Sequence, residues 1–325
     1  MLILNRQMTA AALSYAECIS ALEPAMISVS RGETILPLRQ YLSIPGGQGK
    51  FTLMPGYSAE PRTFGVKIVS KFPRAPGSGL SSHVGAVMVF NADDGLPLAL
   101  LDGAELTAIR TSAASALATR VLARQDAKSL GLMGYGEEAW HHALAIAEVR
   151  SLERITVWGR SGERARRFAA KVHDRLDIET AAVADREELV AESDILCTVT
   201  SATDPILMGA WLQAGVHVNL VGAAIATSAE ADSDVVSRSR FFTDYRPSAL
   251  AQGGELIKAI EVGIVTETHI AGEIGEVLAG QVAGRRSHQD ITVYKSLGVA
   301  AQDLAAGIAA YHNANHKGLG IEVSW

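Results

Sequence analysis

Cysteine is nearly absent from the 325 residues. Cys18 and Cys197 are the only two, far apart and in no metal-ligand spacing, which excludes a disulfide framework and the cysteine-based zinc modules. Basic charge is not in excess: 29 Lys and Arg against 35 Asp and Glu leave a net charge of −6. The basic residues are scattered, so the electrostatic footprint of a nucleic-acid binder is missing. No apolar run reaches the ~18 uncharged residues that a membrane span needs. The short apolar stretch of Met1 to Leu13 is interrupted by Asn5, Arg6 and Gln7, unlike a signal peptide. These absences lead to the expectation of a soluble, cytoplasmic protein with no nucleic-acid or membrane partner. What is present, 48 % hydrophobic and 20 % charged residues, excludes a disordered scaffold, and the length suits one large or two medium domains.

Apolar residues recur at helical spacing from Thr9 to Arg31 (Ala12, Tyr15, Ala16, Ile19, Leu22), with Gly32 as a stop, and predict an opening helix. From Arg39 to Leu101 the pattern changes to short runs, Phe51 to Met54, Gly65 to Val69, Val84 to Phe90 and Leu96 to Leu101. Pro55-Gly56, Pro76-Gly77 and Asp93-Asp94-Gly95 punctuate them as turns, and together they predict an antiparallel or mixed sheet. Thr107 to Arg124, rich in Ala, Leu and Arg without Gly or Pro, reads as a long helix. A second rhythm starts at Ser129. The apolar run Leu130 to Met133, a glycine turn, the helical stretch Glu137 to Val149 and the strand-like Ile155 to Trp158 form a βαβ unit. The helix Gly162 to Leu176 and the strands Ile195 to Val199 and His217 to Val221 continue an alternation that implies a doubly wound parallel sheet. Thr292 to His312 reads as a final helix.

Gly134-Tyr135-Gly136-Glu137-Glu138-Ala139 has the form G-x-G-x-x-A between an apolar strand and a helix. That context makes it a dinucleotide fingerprint. Gly134 permits the tight turn, Gly136 lets a pyrophosphate approach the backbone, and Ala139 allows close packing of helix on strand. An NAD-preferring site carries an acid about 20 residues later, on the ribose hydroxyls. Here that place holds Gly159, followed by Arg160 and Ser161, which offer a cation and a hydroxyl to a 2′-phosphate. NADP(H) is therefore favoured over NAD(H), with a solvated surface arginine as the competing reading of Arg160. Thr200 and Ser201, and Val221 and Gly222, follow later strands, where ligands bind in such sheets and where ordinary turn chemistry also occurs.

The chain resembles the ornithine cyclodeaminase and mu-crystallin family over nearly its whole length. The segments that carry the resemblance are MPGYSAEPRTFGVKIVSKFP from Met54, LPLALLDGAELTAIRTSAASALATRVLAR from Leu96, the GYGEEA turn, EIGEVLAGQVAGR from Glu273 and ITVYKSLGVAAQDLAA from Ile291. The resemblance implies an α/β protein in two parts. Residues 1–115 would form an α+β substrate-binding and dimerisation domain with an open sheet, on which a C-terminal helix within 297–325 packs back. Residues 116–296 would form a Rossmann dinucleotide-binding domain. It implies a homodimer, and it places Arg39, Met54, Lys67 and Arg110, with Thr111 beside the last, at the substrate. Arg110 suits a carboxylate clamp, Arg39 can assist, and Lys67 can donate a proton or polarise an imine. Where the cyclodeaminases carry an aspartate, this chain has Ala224, with Glu230 and Asp232 too far along to be assumed equivalent. The chain is thus closest in character to the family's NADPH-dependent ketimine reductases. His83, after Ser81-Ser82, can serve as a proton donor, a substrate contact or a structural residue. His141 and His142 are expected to face solvent or pack locally. His312 and His316 lack a zinc-hydrolase arrangement, and no metal is assigned.

The expected reaction is reduction of a small carboxylated imine by hydride from NADPH, with Arg110 orienting the carboxylate and Lys67 holding the nitrogen protonated. Two alternatives stand beside it. One is a lyase, amino-acid dehydrogenase or hydroxyproline dehydratase that uses the nucleotide catalytically; the other is a mu-crystallin-like protein that binds NADPH and a small ligand without turnover.

Overall fold

The computed structural model describes residues 1–46, 49–72 and 83–324. The chain begins with β1 (Leu2–Leu4), α1 (Arg6–Ala12), α2 (Tyr15–Ser30), β2 (Thr34–Ile35), β3 (Gln40–Ser43), β4 (Lys50–Ala59), β5 (Arg62–Lys71), β6 (His83–Asn91), β7 (Pro97–Asp102) and α3 (Gly103–Leu122). There follow β8 (Ser129–Met133), α4 (Glu137–Ala147), β9 (Arg154–Trp158), α5 (Gly162–Leu176), β10 (Glu179–Ala182), α6 (Arg186–Ala191), β11 (Ile195–Thr198), β12 (His217–Leu220), α7 (Ser233–Ser237), β13 (Arg240–Thr243), α8 (Arg246–Gln252), α9 (Gly254–Glu261), β14 (Ile270–Glu273), α10 (Ile274–Leu278) and β15 (Thr292–Lys295). The chain closes with α11 (Ala300–Lys317) and β16 (Ile321–Glu322). Two compact units result, Met1–Thr111 with Gly298–Trp325, and Ser112–Leu297.

The first unit is built on an open mixed sheet of order β16-β1-β7-β6-β5-β4-β2, with β3 also pairing β4. β1 runs parallel to β7 and the other pairs are antiparallel. α11 packs on β4, β5, β6 and β7 and against α2. Its inward residues, including Ala301, Leu304 and Ala305, are buried, and burying each leucine-sized side chain contributes about 1.5–3 kcal/mol. Two expectations need correction here. The opening helix is two, because Ser14 and Glu17 form a capping box, each side chain accepting the other's backbone N–H, and this starts a new helix. Pro55-Gly56 is not a turn but lies inside β4, whose turn to β5 falls at Glu60-Pro61. β2 pairs β4 at Tyr57 and Ser58, and β3 pairs it from Leu53 back to Lys50. Pro55 sits in the gap between them, where a missing N–H costs no ladder bond. The expected turn at Pro76-Gly77 lies outside the described residues.

The second unit carries an all-parallel sheet of order β10-β9-β8-β11-β12-β15-β13-β14. The order runs outward in opposite directions from β8, so the switch point of a doubly wound sheet falls between β8 and β11, where such folds bind ligands. β11, β12 and β15 are buried along their full length, as the near-continuous apolar runs of a two-sided parallel sheet require. The helix expected over Thr292 to His312 divides here. Thr292–Lys295 is a buried strand between β12 and β13, suited to its β-branched and aromatic residues. Gly298, at φ +77°, breaks the chain before α11. The strand β13, with fully buried Phe241 and Phe242, and the strand β10 went unread in the sequence. Among the described residues no helix is long and apolar enough to cross a membrane.

Candidate functional site

In the second unit a cleft of about 520 Å³ opens beside the ends of β8, β9 and β11. Gly134, Tyr135 and Gly136 line it from the turn after β8, Trp158, Gly159 and Arg160 from the end of β9, and Thr200 and Ser201 from the loop after β11. Gly134 has φ +130°, and a Cβ there would lie 2.9 Å from the Val199 carbonyl oxygen, so no other residue fits the turn. Gly136 caps α4 without a side-chain bond and opens on empty space. The first amides of an eleven-residue helix therefore remain available to an anion. Glu137 is the first residue of α4, and Ala139 is fully buried beneath it. These features fit a dinucleotide pyrophosphate.

On the β9 side of the cleft, a Cβ on Gly159 would overlap the Tyr135 ring. The ring occupies the space that the acid of an NAD-type site would need. Ser161 does not line the cleft; its hydroxyl accepts the Arg164 N–H as the N-cap of α5. The cleft also takes in Asp204 and Pro205, which nothing in the fingerprint pattern signals. Val221 is buried, and the amide of exposed Gly222 donates to Glu230.

Glu230 settles where the neighbouring acids point. Fully buried, it accepts from the Thr198 hydroxyl, the Thr200 amide and hydroxyl and the Gly222 amide. Its own amide donates to Glu255, which is paired with buried Lys295 at 2.8 Å. Burial pushes the Glu230 carboxyl above its usual range, opposed by the bonds from Thr200 and Thr198 and by Lys295. It ties the loops after β11 and β12 together rather than facing a ligand. Asp232 caps α7 and accepts the Gly209 amide. No carboxylate stands between Val221 and Ala229.

The first unit gathers a second set of groups. Lys67 lies on the inner, alternating face of β5 with Thr63 and Gly65, and Arg110 lies on α3; they are 4 % and 5 % exposed. Both bind one carboxylate on α11. Lys67 Nζ is 2.9 Å from each oxygen of Asp303, and Arg110 Nε is 2.9 Å from Oδ1. Arg110 Nη1 also donates to Gln302 Oε1 at 3.0 Å. Arg39 donates to the Gly298 carbonyl at 3.0 Å. Met54 is buried opposite Lys67 in the β4–β5 register, and Thr111 is buried next to Arg110. Burial lowers the Lys67 pKa to about 7, with Arg110 and Arg39 adding to the effect and Asp303 opposing it. Burial raises the Asp303 carboxyl, but the charges of Arg110 and Lys67 outweigh it and hold the group below the usual range. With Lys67 protonated the trio carries a formal charge of one positive, an arrangement that favours an anionic ligand.

Asp303 and Gln302 are functional candidates that the sequence reading missed. Their signal was available: two polar residues in the otherwise small and apolar run Ala300 to Ala306, on a helix face that must be buried. His83 opens β6, but its side chain, like Ser81 and Ser82, lies outside the described residues. His141 and His142 are both buried, not solvent-facing. His142 lies between the Ser115 hydroxyl and the Glu138 carbonyl, and burial lowers its pKa to about 4, so it packs as a neutral ring. His312 and His316 are exposed.

A model of the ornithine cyclodeaminase/mu-crystallin family matches residues 1–318. A Delta(1)-pyrroline-2-carboxylate reductase of Bacillus cereus is 34% identical over 302 residues, 93% of each chain. The ketimine reductase mu-crystallin of Mus musculus is 31% identical over 297 residues, 90% of each chain. Among solved structures, the Thermococcus litoralis Delta(1)-pyrroline-2-carboxylate reductase in complex with NADH and L-proline superposes with a TM-score of 0.95 at 34% identity, covering 99% of this chain and 100% of that one.

Proposed function

The chain belongs to the ornithine cyclodeaminase/mu-crystallin family, and on that footing we propose that it reduces a small carboxylated cyclic imine, such as pyrroline-2-carboxylate or piperideine-2-carboxylate, to the cyclic amino acid with NADPH. The observation that carries this reading is the buried Lys67–Asp303–Arg110 trio, combined with Ala224 where a base for ring closure would be needed. Arg110 takes the substrate carboxylate through charge-assisted hydrogen bonds, and Arg39 adds a second cation. Lys67, with its pKa lowered to about 7, delivers a proton to the imine nitrogen at neutral pH. The protonated C=N carbon then accepts a hydride, the one component that the nicotinamide supplies when bound. The C=N double bond becomes a single bond with new N–H and C–H bonds, and Lys67 is left neutral.

Gly134, Gly136 and the N-terminus of α4 would hold the pyrophosphate, and Arg160 with Ser161 would take the 2′-phosphate. The Thermococcus litoralis relative was solved with NADH, so the NADPH preference rests on this chain's own Gly159-Arg160-Ser161. The same reading includes a homodimer. Ile35, Leu38, Tyr41, Leu42 and Ile44, at and around β2 and β3, are 41% to 64% exposed, an apolar face that a second copy would cover.

The test is a steady-state assay of NADPH and NADH oxidation over a panel of cyclic imino acids and of α-keto acids with amines. Turnover of a cyclic imino acid, faster with NADPH, is expected. No oxidation with any of them overturns the reading, and product from ornithine without nucleotide consumption would support the lyase instead.

A further inference from the structure

Asp303 is a single carboxylate, 1 % exposed and flanked on α11 by buried Gln302 and Leu304. An ionised group there is tolerated only if it is paired and hydrogen-bonded, and its partners come from two other elements. The β5 lysine approaches both oxygens and the α3 arginine approaches one of them. The charged groups that act on Lys67 are Arg110 from α3, Asp303 from α11 and Arg39 ahead of β3. The Cys18 thiol on α2, which Arg110 and Asp303 also influence, is pushed up to about 12 chiefly by burial and stays neutral. Asp303 is thus the negative charge that opposes the two arginines at the lysine.

We infer that Asp303 is a positioning residue that holds the Lys67 ammonium and the Arg110 guanidinium on one carboxylate, so that the proton donor and the carboxylate clamp act as a unit with fixed spacing. The roles of Lys67 and Arg110 rest on the proposed reaction, but the coupling itself does not. Without the carboxylate, two cations would face each other in a buried space, and Lys67 would lose its proton at lower pH. Among the described residues, Arg110 would keep only Gln302 as an anchor for its guanidinium.

The experiment compares the full-length wild type with Asp303→Asn and Asp303→Glu, grown with lysine labelled at 13Cε. The Lys67 signal is assigned with Lys67→Arg and titrated by NMR without substrate. Asp303→Asn is expected to lower the Lys67 midpoint by about one pH unit or more. It should move the alkaline limb of kcat/KM by the same amount and raise KM for the imino acid about tenfold or more, with NADPH affinity unchanged. Asp303→Glu restores the charge and is expected to keep the midpoint within about half a unit of wild type, which carries the test if the asparagine variant does not fold. An unmoved Lys67 midpoint in folded Asp303→Asn, or a midpoint in Asp303→Glu that falls as far as expected for the neutral variant, overturns the inference. If the midpoint moves but no cyclic imine is turned over by the wild type, the proposed reaction fails while the positioning role stands.

Discussion

The two candidate sites are built on opposite principles. The dinucleotide cleft is largely a backbone site: its Gly134-Tyr135-Gly136 turn, the open N-terminus of α4 and the bare Gly159 against which the Tyr135 ring lies depend on what side chains leave out. The trio in the first unit is a side-chain site, with Lys67, Arg110 and Asp303 separated by 43 to 236 positions in the chain and joined only by folding. A backbone site is written locally and tolerates exposure. A buried charge site has to be balanced group by group, because each unpaired ion costs several kcal/mol. The difference predicts that lesions in the first unit stop the chemistry, whereas lesions in the second weaken or redirect nucleotide binding.

The largest effect is therefore expected at Lys67. Lys67→Met removes the proposed proton donor, and kcat should fall about 10²- to 10⁴-fold while NADPH affinity, measured by fluorescence titration, stays at the wild-type value. In the proposed mechanism only the protonated lysine is competent, and its pKa is lowered to about 7. Thus kcat/KM should be flat below that pH and fall about tenfold per unit above it. A profile that rises with pH through that range would break the assignment. Arg110→Lys keeps the charge but loses the planar fork. It should raise KM for the imino acid about tenfold or more with a smaller change in kcat.

This contrast also explains what the sequence disclosed. The glycine turn was legible because its whole mechanism sits in six consecutive residues next to a strand and a helix. Lys67 and Arg110 became legible only through the resemblance, since a lone lysine in a strand and a lone arginine in a helix carry no local signal. Asp303 went unread because α11 looked like a packing helix, and the charges that its buried carboxylate balances lie on other elements. Treating Thr292 to His312 as one helix failed for a related reason. Periodicity cannot tell a short fully buried strand such as Thr292–Lys295 from the end of a helix.

Smaller effects are expected in the second unit. Gly134→Ala would force φ +130° on a residue with a Cβ, 2.9 Å from the Val199 oxygen. A strain of about 1–3 kcal/mol should weaken both NADPH and NADH roughly tenfold or more, with KM for the imino acid little changed. Arg160→Ala should cost about tenfold in NADPH affinity, the order of one charge-assisted contact, and leave NADH unaffected. Equal losses for both nucleotides would remove Arg160 from the 2′-phosphate. Gly159→Asp alone should weaken both cofactors, because the new side chain meets the Tyr135 ring. Only together with Tyr135→Ser should it open a path to NADH preference.

The finest distinction lies at Ser161, which caps the start of α5 and is also the hydroxyl proposed for the phosphate. Ser161→Ala loses the cap, worth about 1 kcal/mol, and the phosphate contact, so reduced stability and a few-fold weaker NADPH would arrive together and teach little. Ser161→Asp separates them, because aspartate is as good an N-cap as serine but places a negative charge where the phosphate should lie. Thermal melting should therefore stay near wild type, while the NADPH-to-NADH affinity ratio falls beyond the alanine value and recovers partly in high salt, as a screened charge repulsion must. If the aspartate variant keeps the wild-type ratio, the phosphate does not sit at the start of α5. The exposed Arg160 would then be an ordinary surface arginine.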